Sequence, residues 1–267
     1  MEKRLGLIAG SGESPLYICQ EAQKQGYTCV VAAIREEADS RIEAEVSDLG
    51  WFEVAKAGAI VTYFKSRQVE HAVFAGKIDP RVVFRKKNLG SLLYGLMEKV
   101  QNKNPETLIR MAIDYFSSRG IEIIDTYPFL KALLCEPGVL TKTDPSAAIQ
   151  DDIDFAWELA RKLADWDIGQ SLVVKEKRVV AVEGLEGTDE TIKRGGNLAG
   201  DRTVLVKVAR TRQDFRIDLP AVGFKTVESL VKAKSRALCF EAGRMPFFQK
   251  DRAIALADKH DIAIIAR

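Results

Sequence analysis

Histidine is almost missing from this 267-residue chain, which holds only His71 and His260. Structural zinc sites draw on histidine and on closely paired cysteines. The four cysteines (Cys19, Cys29, Cys135 and Cys239) are scattered, with no C-x-x-C pair. These shortages argue against a zinc site and a disulfide framework, and point to a reducing compartment. Long apolar runs are absent too. Stretches such as Ala263 to Ala266 fall far short of the roughly 20 residues that cross a bilayer. Charge of one sign is not in excess: the formal net charge of +2 gives no reason to expect nucleic acid as a partner. Met1-Glu2-Lys3-Arg4 runs straight into a strand, with no apolar signal segment behind it. The expectation is a cytoplasmic protein of two domains, or one large one.

What is present starts with a βαβ unit. Leu5 to Ala9 reads as a buried strand, Gly10-Ser11-Gly12 as a turn, and Ser14-Pro15 as the opening of a helix that Gly26 stops. Thr28 to Ile34 is the next strand, so the sheet is expected to be parallel and doubly wound. A dinucleotide fingerprint is the tempting reading of the glycines. It fails because Pro15 stands at the third glycine and Arg35, not an acid, follows the second strand. Gly10, Ser11 and Gly12 are left with two readings, an anion contact at a helix N-terminus or a tight structural turn.

Ala57 to Gln68 reads as a helix. Ala72 to Ala75 reads as a strand ending in Gly76-Lys77, where ligands of open α/β sheets bind. Phe84 to Val100, behind Arg85-Lys86-Lys87, has helical spacing. A helix packed on the sheet is the favoured reading, and contact with an anionic membrane surface the lesser one. A helix over 106–120 and a strand over 121–124 follow, and His71 reads as a surface residue with no partner.

Around Pro137-Gly138 the pattern changes, which places the boundary between residues 1–136 and 137–267. Thr143-Asp144-Pro145-Ser146 caps a helix over 147–165 with Phe155, Leu159 and Leu163 on one face. Ser171 to Val174 and Val179 to Val182 form a hairpin, so this half is expected to be α+β.

The densest polar stretch runs from Glu183 to Gly223. Glu183, Glu186, Thr188 and Asp189 crowd Gly184 and Gly187, and Lys207 closes an apolar strand. Gln213 to Pro220 alternates with period two, which predicts a strand with Asp214, Arg216 and Asp218 on one face. Two carboxylates around a guanidinium can bind a metal, hold a phosphate or activate water; a solvent-facing ion-pair ladder is the plain alternative.

Taken in order, Asp167-Ile168-Gly169-Gln170, Ala181-Val182-Glu183, Glu186-Gly187-Thr188-Asp189, Val206-Lys207, Gln213-Asp214, Arg216, Asp218-Leu219-Pro220, Gly223 and Glu241-Ala242-Gly243 resemble the UDP-2,3-diacylglucosamine pyrophosphatases of the LpxI type. Gly6 to Gly12 and Ala75-Gly76-Lys77 resemble that family's first domain, so the likeness spans nearly the whole chain. It implies a Rossmann-like N-terminal domain, a C-terminal domain of its own type, and a lipid held between them. It also implies hydrolysis of UDP-2,3-diacylglucosamine to UMP and 2,3-diacylglucosamine 1-phosphate in lipid A synthesis. Water would attack the sugar-side phosphorus, a divalent cation (Mg²⁺ or Mn²⁺) would be needed, and Asp218 would be the catalytic aspartate. A homodimer and peripheral contact with the inner membrane surface are further expectations. The chain departs from the family pattern at Val208-Ala209-Arg210, Ala221-Val222 and Arg244 to Phe248.

The chemistry agrees. Two or three carboxylates among Asp189, Asp214, Asp218 and Glu186 would suffice for Mg²⁺. Lys207 and Arg216 suit phosphoryl oxygens, while Gln170 and Thr188 suit neutral hydrogen bonds. Two rival readings are a nucleotide-dependent oxidoreductase on the first βαβ unit and a non-catalytic protein that binds a nucleotide-sugar lipid.

Overall fold

The computed structural model describes residues 3–78 and 105–267, so the expected helix over 84–100 lies outside the described residues. The chain divides into two compact units, one of Met1–Leu130 with Asp214–Leu219 and one of Lys131–Gln213 with Pro220–Arg267.

The first unit carries strands β1 (Lys3–Ala9), β2 (Tyr27–Ile34), β3 (Asp48–Phe52), β4 (His71–Ala75) and β5 (Glu122–Ile123). They pair in the order β3-β2-β1-β4-β5, every pair parallel. This is the strand order of a doubly wound sheet. Leu5 to Ala9 and Cys29 to Ile34 are buried without interruption, as strands covered on both faces must be. Helices α1 (Ser14–Lys24), α2 (Ala57–Ser66) and α3 (Pro105–Ser117) accompany them. Pro15 sits in the first turn of α1, and Ile18, Cys19 and Ala22 make its buried face. His71 does have a partner, contrary to expectation: it lies opposite Glu122 on the parallel ladder, Nε2 to Oε2 at 3.4 Å.

The second unit holds a six-stranded sheet in the order β6-β13-β11-β9-β7-β8. Its strands are β6 (Gly138–Val139), β7 (Ser171–Lys175), β8 (Arg178–Val182), β9 (Val204–Lys207), β11 (Ala237–Phe240) and β13 (Ala263–Ala266). The two-residue strands β10 (Val222–Gly223) and β12 (Phe247–Phe248) pair separately. The β7–β8 hairpin makes one antiparallel edge, and β9, β11 and β13 run parallel. The helices are α4 (Ala147–Asp165), α5 (Thr188–Ala199), α6 (Phe224–Lys232) and α7 (Lys250–Lys259).

Strand alternation separates two cores. Leu172, Val174, Val204, Val206, Ala237 and Cys239 pack with α4, while Val173, Leu205, Leu238 and Phe240 pack with residues of α5, α6 and α7. The face of α4 differs from expectation. Ile153, Ala156, Ala160 and Ala164 are buried, Leu159 and Leu163 only partly so, and Phe155 is 36% exposed. Small side chains let the helix approach the sheet, so alanine rather than the larger apolar residues faces inward.

Candidate functional site

Because every strand of the first sheet is parallel, all the carboxyl ends lie on one edge. The chain leaves β1 toward β2 and returns on the other side as β4, so these neighbours form the switch point where such sheets bind ligands. Gly10 and Ser11 follow β1, and Gly76 and Lys77 follow β4. The two loops are zipped together: Ser11 N–H donates to Lys77 O at 2.7 Å, Lys77 N–H to Ser11 O at 2.9 Å, and Ser11 Oγ to Lys77 O at 2.8 Å. A Cβ on Gly10 would stand 2.4 Å from Lys77 O, and one on Gly76, whose φ is +85°, 2.5 Å from Ser11 O. Both glycines are demanded by close backbone approach. Gly12 precedes α1, where the Glu13 side chain makes no capping hydrogen bond; the start of a helix favours negative charge. The structure brings together Gly10, Ser11, Gly76 and Lys77.

The segment Asp214–Leu219 belongs to this same unit. It is not the strand that period-two alternation predicted. Residues 215–217 form a turn in which Ile217 N–H donates to Asp214 O at 3.0 Å and Asp218 N–H to the same oxygen at 3.3 Å. The alternation reflects anchoring instead. Ile217 packs against the core of the first unit, and the Phe215 ring lies 5.2 Å from that of Tyr127. Thr126 Oγ1 donates to Phe215 O at 3.0 Å, which seats the turn beside the carboxyl end of β5.

Arg216 closes the turn on Asp214. Its Nε and Nη2 donate to Oδ1 and Oδ2 at 2.9 and 2.8 Å, and its N–H to Oδ1 at 3.1 Å. These bonds hold the Asp214 carboxyl below its usual range despite burial, with Arg110 at 3.6 Å assisting. The charges of Asp125 and Asp114 also favour the Arg216 cation.

The other site residues lie in the second unit. Lys207 closes β9 and pairs on the ladder with Ser171, the first residue of β7. It is 6% exposed, and its Nζ donates to Thr188 Oγ1 at 2.7 Å. Thr188 donates in turn to Glu183 Oε1 at 2.9 Å and lies 3.3 Å from Ser171 Oγ. A lysine and a glutamate are thus linked through one hydroxyl, a contact that sequence spacing did not reveal. Gln170 precedes Ser171 in the chain, its main-chain carbonyl accepting from Val208 N–H at 3.0 Å.

Glu186 is engaged by Arg194, Nη2 to Oε1 at 2.5 Å, which lowers its carboxyl's pKa. Asp189 accepts from Ser229 Oγ at 3.1 Å. The four carboxylates suggested for a metal therefore fall two in each unit. Among the described residues no three histidine, cysteine, aspartate or glutamate side chains gather as a metal-holding group. No all-protein cage exists there. A Mg²⁺ held by one or two carboxylates plus substrate phosphates is compatible with this arrangement.

Sequence reasoning also missed a buried hub at Glu241, which follows β11. Arg161 of α4 donates to both its carboxylate oxygens at 2.8 and 3.0 Å, Ala209 N–H to Oε2 at 2.9 Å, and Arg244 to Oε1 at 3.1 Å. Burial alone would push this carboxyl up. Arg161, the Ala209 N–H and the two guanidinium charges outweigh it and hold Glu241 below the usual range. The Glu-Ala-Gly motif was visible; its partner 80 positions away in sequence was not.

The family model of the LpxI N-terminal domain matches residues 4–133, and that of the LpxI C-terminal domain matches residues 136–265. The chain belongs to the LpxI family. A curated relative, the UDP-2,3-diacylglucosamine pyrophosphatase LpxI of Caulobacter vibrioides, is 30% identical over 275 residues, spanning 96% of this chain and 94% of that one. As an LpxI protein the chain is an enzyme, a hydrolase of a diphosphate bond, which sets aside the non-catalytic reading. Among solved structures, the biotin carboxylase domain of Hydrogenobacter thermophilus 2-oxoglutarate carboxylase with MgADP is 14% identical, covering 74% of this chain and 42% of that one at a TM-score of 0.29. Phosphoribosylglycinamide synthetase from Anaerococcus prevotii is 12% identical, covering 74% and 43% at 0.26. Neither likeness carries an argument. Among the described residues no helix is long and apolar enough to cross a membrane.

Proposed function

We propose that this LpxI protein hydrolyses UDP-2,3-diacylglucosamine to UMP and 2,3-diacylglucosamine 1-phosphate, with Asp218 as its catalytic carboxylate. The observation that carries the reading is the likeness to the Caulobacter pyrophosphatase along nearly the full length of both chains. Water adds to the sugar-side phosphorus, the anhydride P–O bond breaks, and UMP leaves with the bridging oxygen. Diphosphate hydrolysis needs negative charge neutralised and a water held in line. Arg216 is preset for the first task, since Asp214 fixes its guanidinium plane. Asp218 follows in the same turn and is suited to the second, orienting or deprotonating water.

A divalent cation, Mg²⁺ or Mn²⁺, would be held by Asp218 and phosphate oxygens and would neutralise the diphosphate. Asp214 and Glu186 are already engaged by arginine and are poorer ligands. Gly10, Ser11 and the start of α1 suit a phosphate or nucleotide group, because a helix N-terminus favours negative charge. The test is to incubate the purified chain with UDP-2,3-diacylglucosamine and Mg²⁺ in ¹⁸O-labelled water. The expected result is label in the sugar 1-phosphate with unlabelled UMP. Label in UMP would refute the site of attack, and intact substrate would refute the activity.

A further inference from the structure

Asp218 lies in a stretch that secondary structure does not hold: residues 215–217 form a turn, and 218–221 belong to no helix or strand. Its N–H bond to Asp214 O, at 3.3 Å, is the longer of the two that close the turn. The seat comes from elsewhere in the same compact unit, from the consecutive residues Thr126 and Tyr127. Thr126 Oγ1 donates to Phe215 O at 3.0 Å across 89 positions of sequence, and the Tyr127 and Phe215 rings lie 5.2 Å apart. Thr126 opens the short 3₁₀ helix Tyr127–Phe129, a position where threonine ordinarily bonds its own helix. Here its side chain makes no such bond. Asp125 takes that task, its Oδ1 accepting from Tyr127 N–H at 2.7 Å, and Pro128 has no N–H to offer.

The hydroxyl is thereby turned away from its own helix and onto the Phe215 carbonyl. Thr126 is 1% exposed, so water is a poor substitute for that bond. We infer that Thr126 is a positioning residue for Asp218, its hydroxyl fixing the turn that presents the carboxylate. The inference rests on the reading of Asp218 as the catalytic carboxylate. Asp218 follows Phe215 by three residues, and Ile217, packed on the first unit's core, anchors the chain between them. Releasing the Phe215 carbonyl leaves the turn held by apolar contacts, which restrict it less in direction than a hydrogen bond does.

Such a seat acts on the chemical step, since displacing a reacting group by about 1 Å can cost ~100-fold in rate. Thr126→Val keeps the side-chain shape and removes the hydroxyl; Thr126→Ser keeps the hydroxyl and removes a methyl. The valine variant should lower kcat by about 10- to 100-fold, leave KM within about twofold of parent, and speed hydrogen exchange at Ile217 and Asp218. The serine variant should keep kcat within about threefold of parent. Packing loss alone would give the opposite order, because serine leaves the larger void. Tyr127→Leu loosens Phe215 independently; it should also lower kcat, and it decides the matter if the valine variant does not fold. Asp218→Asn is measured alongside. If it is inactive while folded Thr126→Val, or in its place Tyr127→Leu, keeps parental kcat, the inference is overturned and the functional reading survives. The same holds if the serine variant is as slow as the valine one. If Asp218→Asn is itself active, that reading falls and the inference with it.

Discussion

Arg216 and Asp214 stand two residues apart in a turn and bind each other through two parallel hydrogen bonds of 2.9 and 2.8 Å. A guanidinium so held has lost much of its side-chain freedom before substrate arrives. Arg216→Lys keeps the charge but cannot make the two-point contact. It should lower kcat by about tenfold or more and leave the fold intact, which steady-state kinetics and circular dichroism would check.

The pH dependence of stability follows from the same pair. Asp214 and Glu241 both have folded-state pKa values below their unfolded ones. Each therefore contributes stability that is complete above its unfolded value, about 3.9 to 4.3, and is lost as pH falls through its folded value. Thermal midpoints should stay level from neutral pH down to about 5 and fall below about 4. Asp214→Asn should make that acid decline shallower. An equally steep decline in the variant would remove Asp214 from the explanation.

Gly76 and Gly26 share a left-handed backbone, φ +85° and +83°, but not a neighbourhood. At Gly26 an added Cβ meets nothing within 4 Å, and at Gly76 it meets Ser11 O at 2.5 Å. Gly26→Ala should cost about 1–2 kcal/mol, the left-handed penalty alone. Gly76→Ala should cost more and should impair substrate binding, because the β1 and β4 loops must part. Urea unfolding and KM for the two variants compare these effects directly.

Asp152 tests a contact unrelated to catalysis. It is 6% exposed and accepts from Glu176 and Lys177 N–H at 3.0 and 2.6 Å, holding the β7–β8 turn. Asp152→Ala leaves two backbone donors without their acceptor, at a cost of roughly 1–3 kcal/mol. Activity at a temperature well below the melting point should match the parent.

Much of the fold was legible where local signals and packing agree. The Ser146 cap marked the start of α4, and the charged turn between β7 and β8 marked the hairpin. The strand β3 was missed because Asp48, Gly50 and Trp51 give no apolar run. Gln213 to Leu219 misled because its alternation records two anchors, Phe215 and Ile217, while Asp214 and Arg216 satisfy each other locally. The polar groups showed a similar divide. Lys207 and Thr188 stood out by type, but their link to Glu183 depends on β9, β8 and the start of α5 meeting in space.

Asp218 is expected to carry the hydrolysis of a lipid-linked UDP-sugar, and a comparison of parent and variant turnover decides it. Parent and Asp218→Ala protein are supplied with UDP-2,3-diacylglucosamine and Mg²⁺, and substrate and products are followed by mass spectrometry. The parent should yield UMP and 2,3-diacylglucosamine 1-phosphate. The variant should turn over at least about a hundredfold more slowly, with intact substrate still bound to a folded protein. A folded Asp218→Ala protein that turns over at near-parental rate would contradict it.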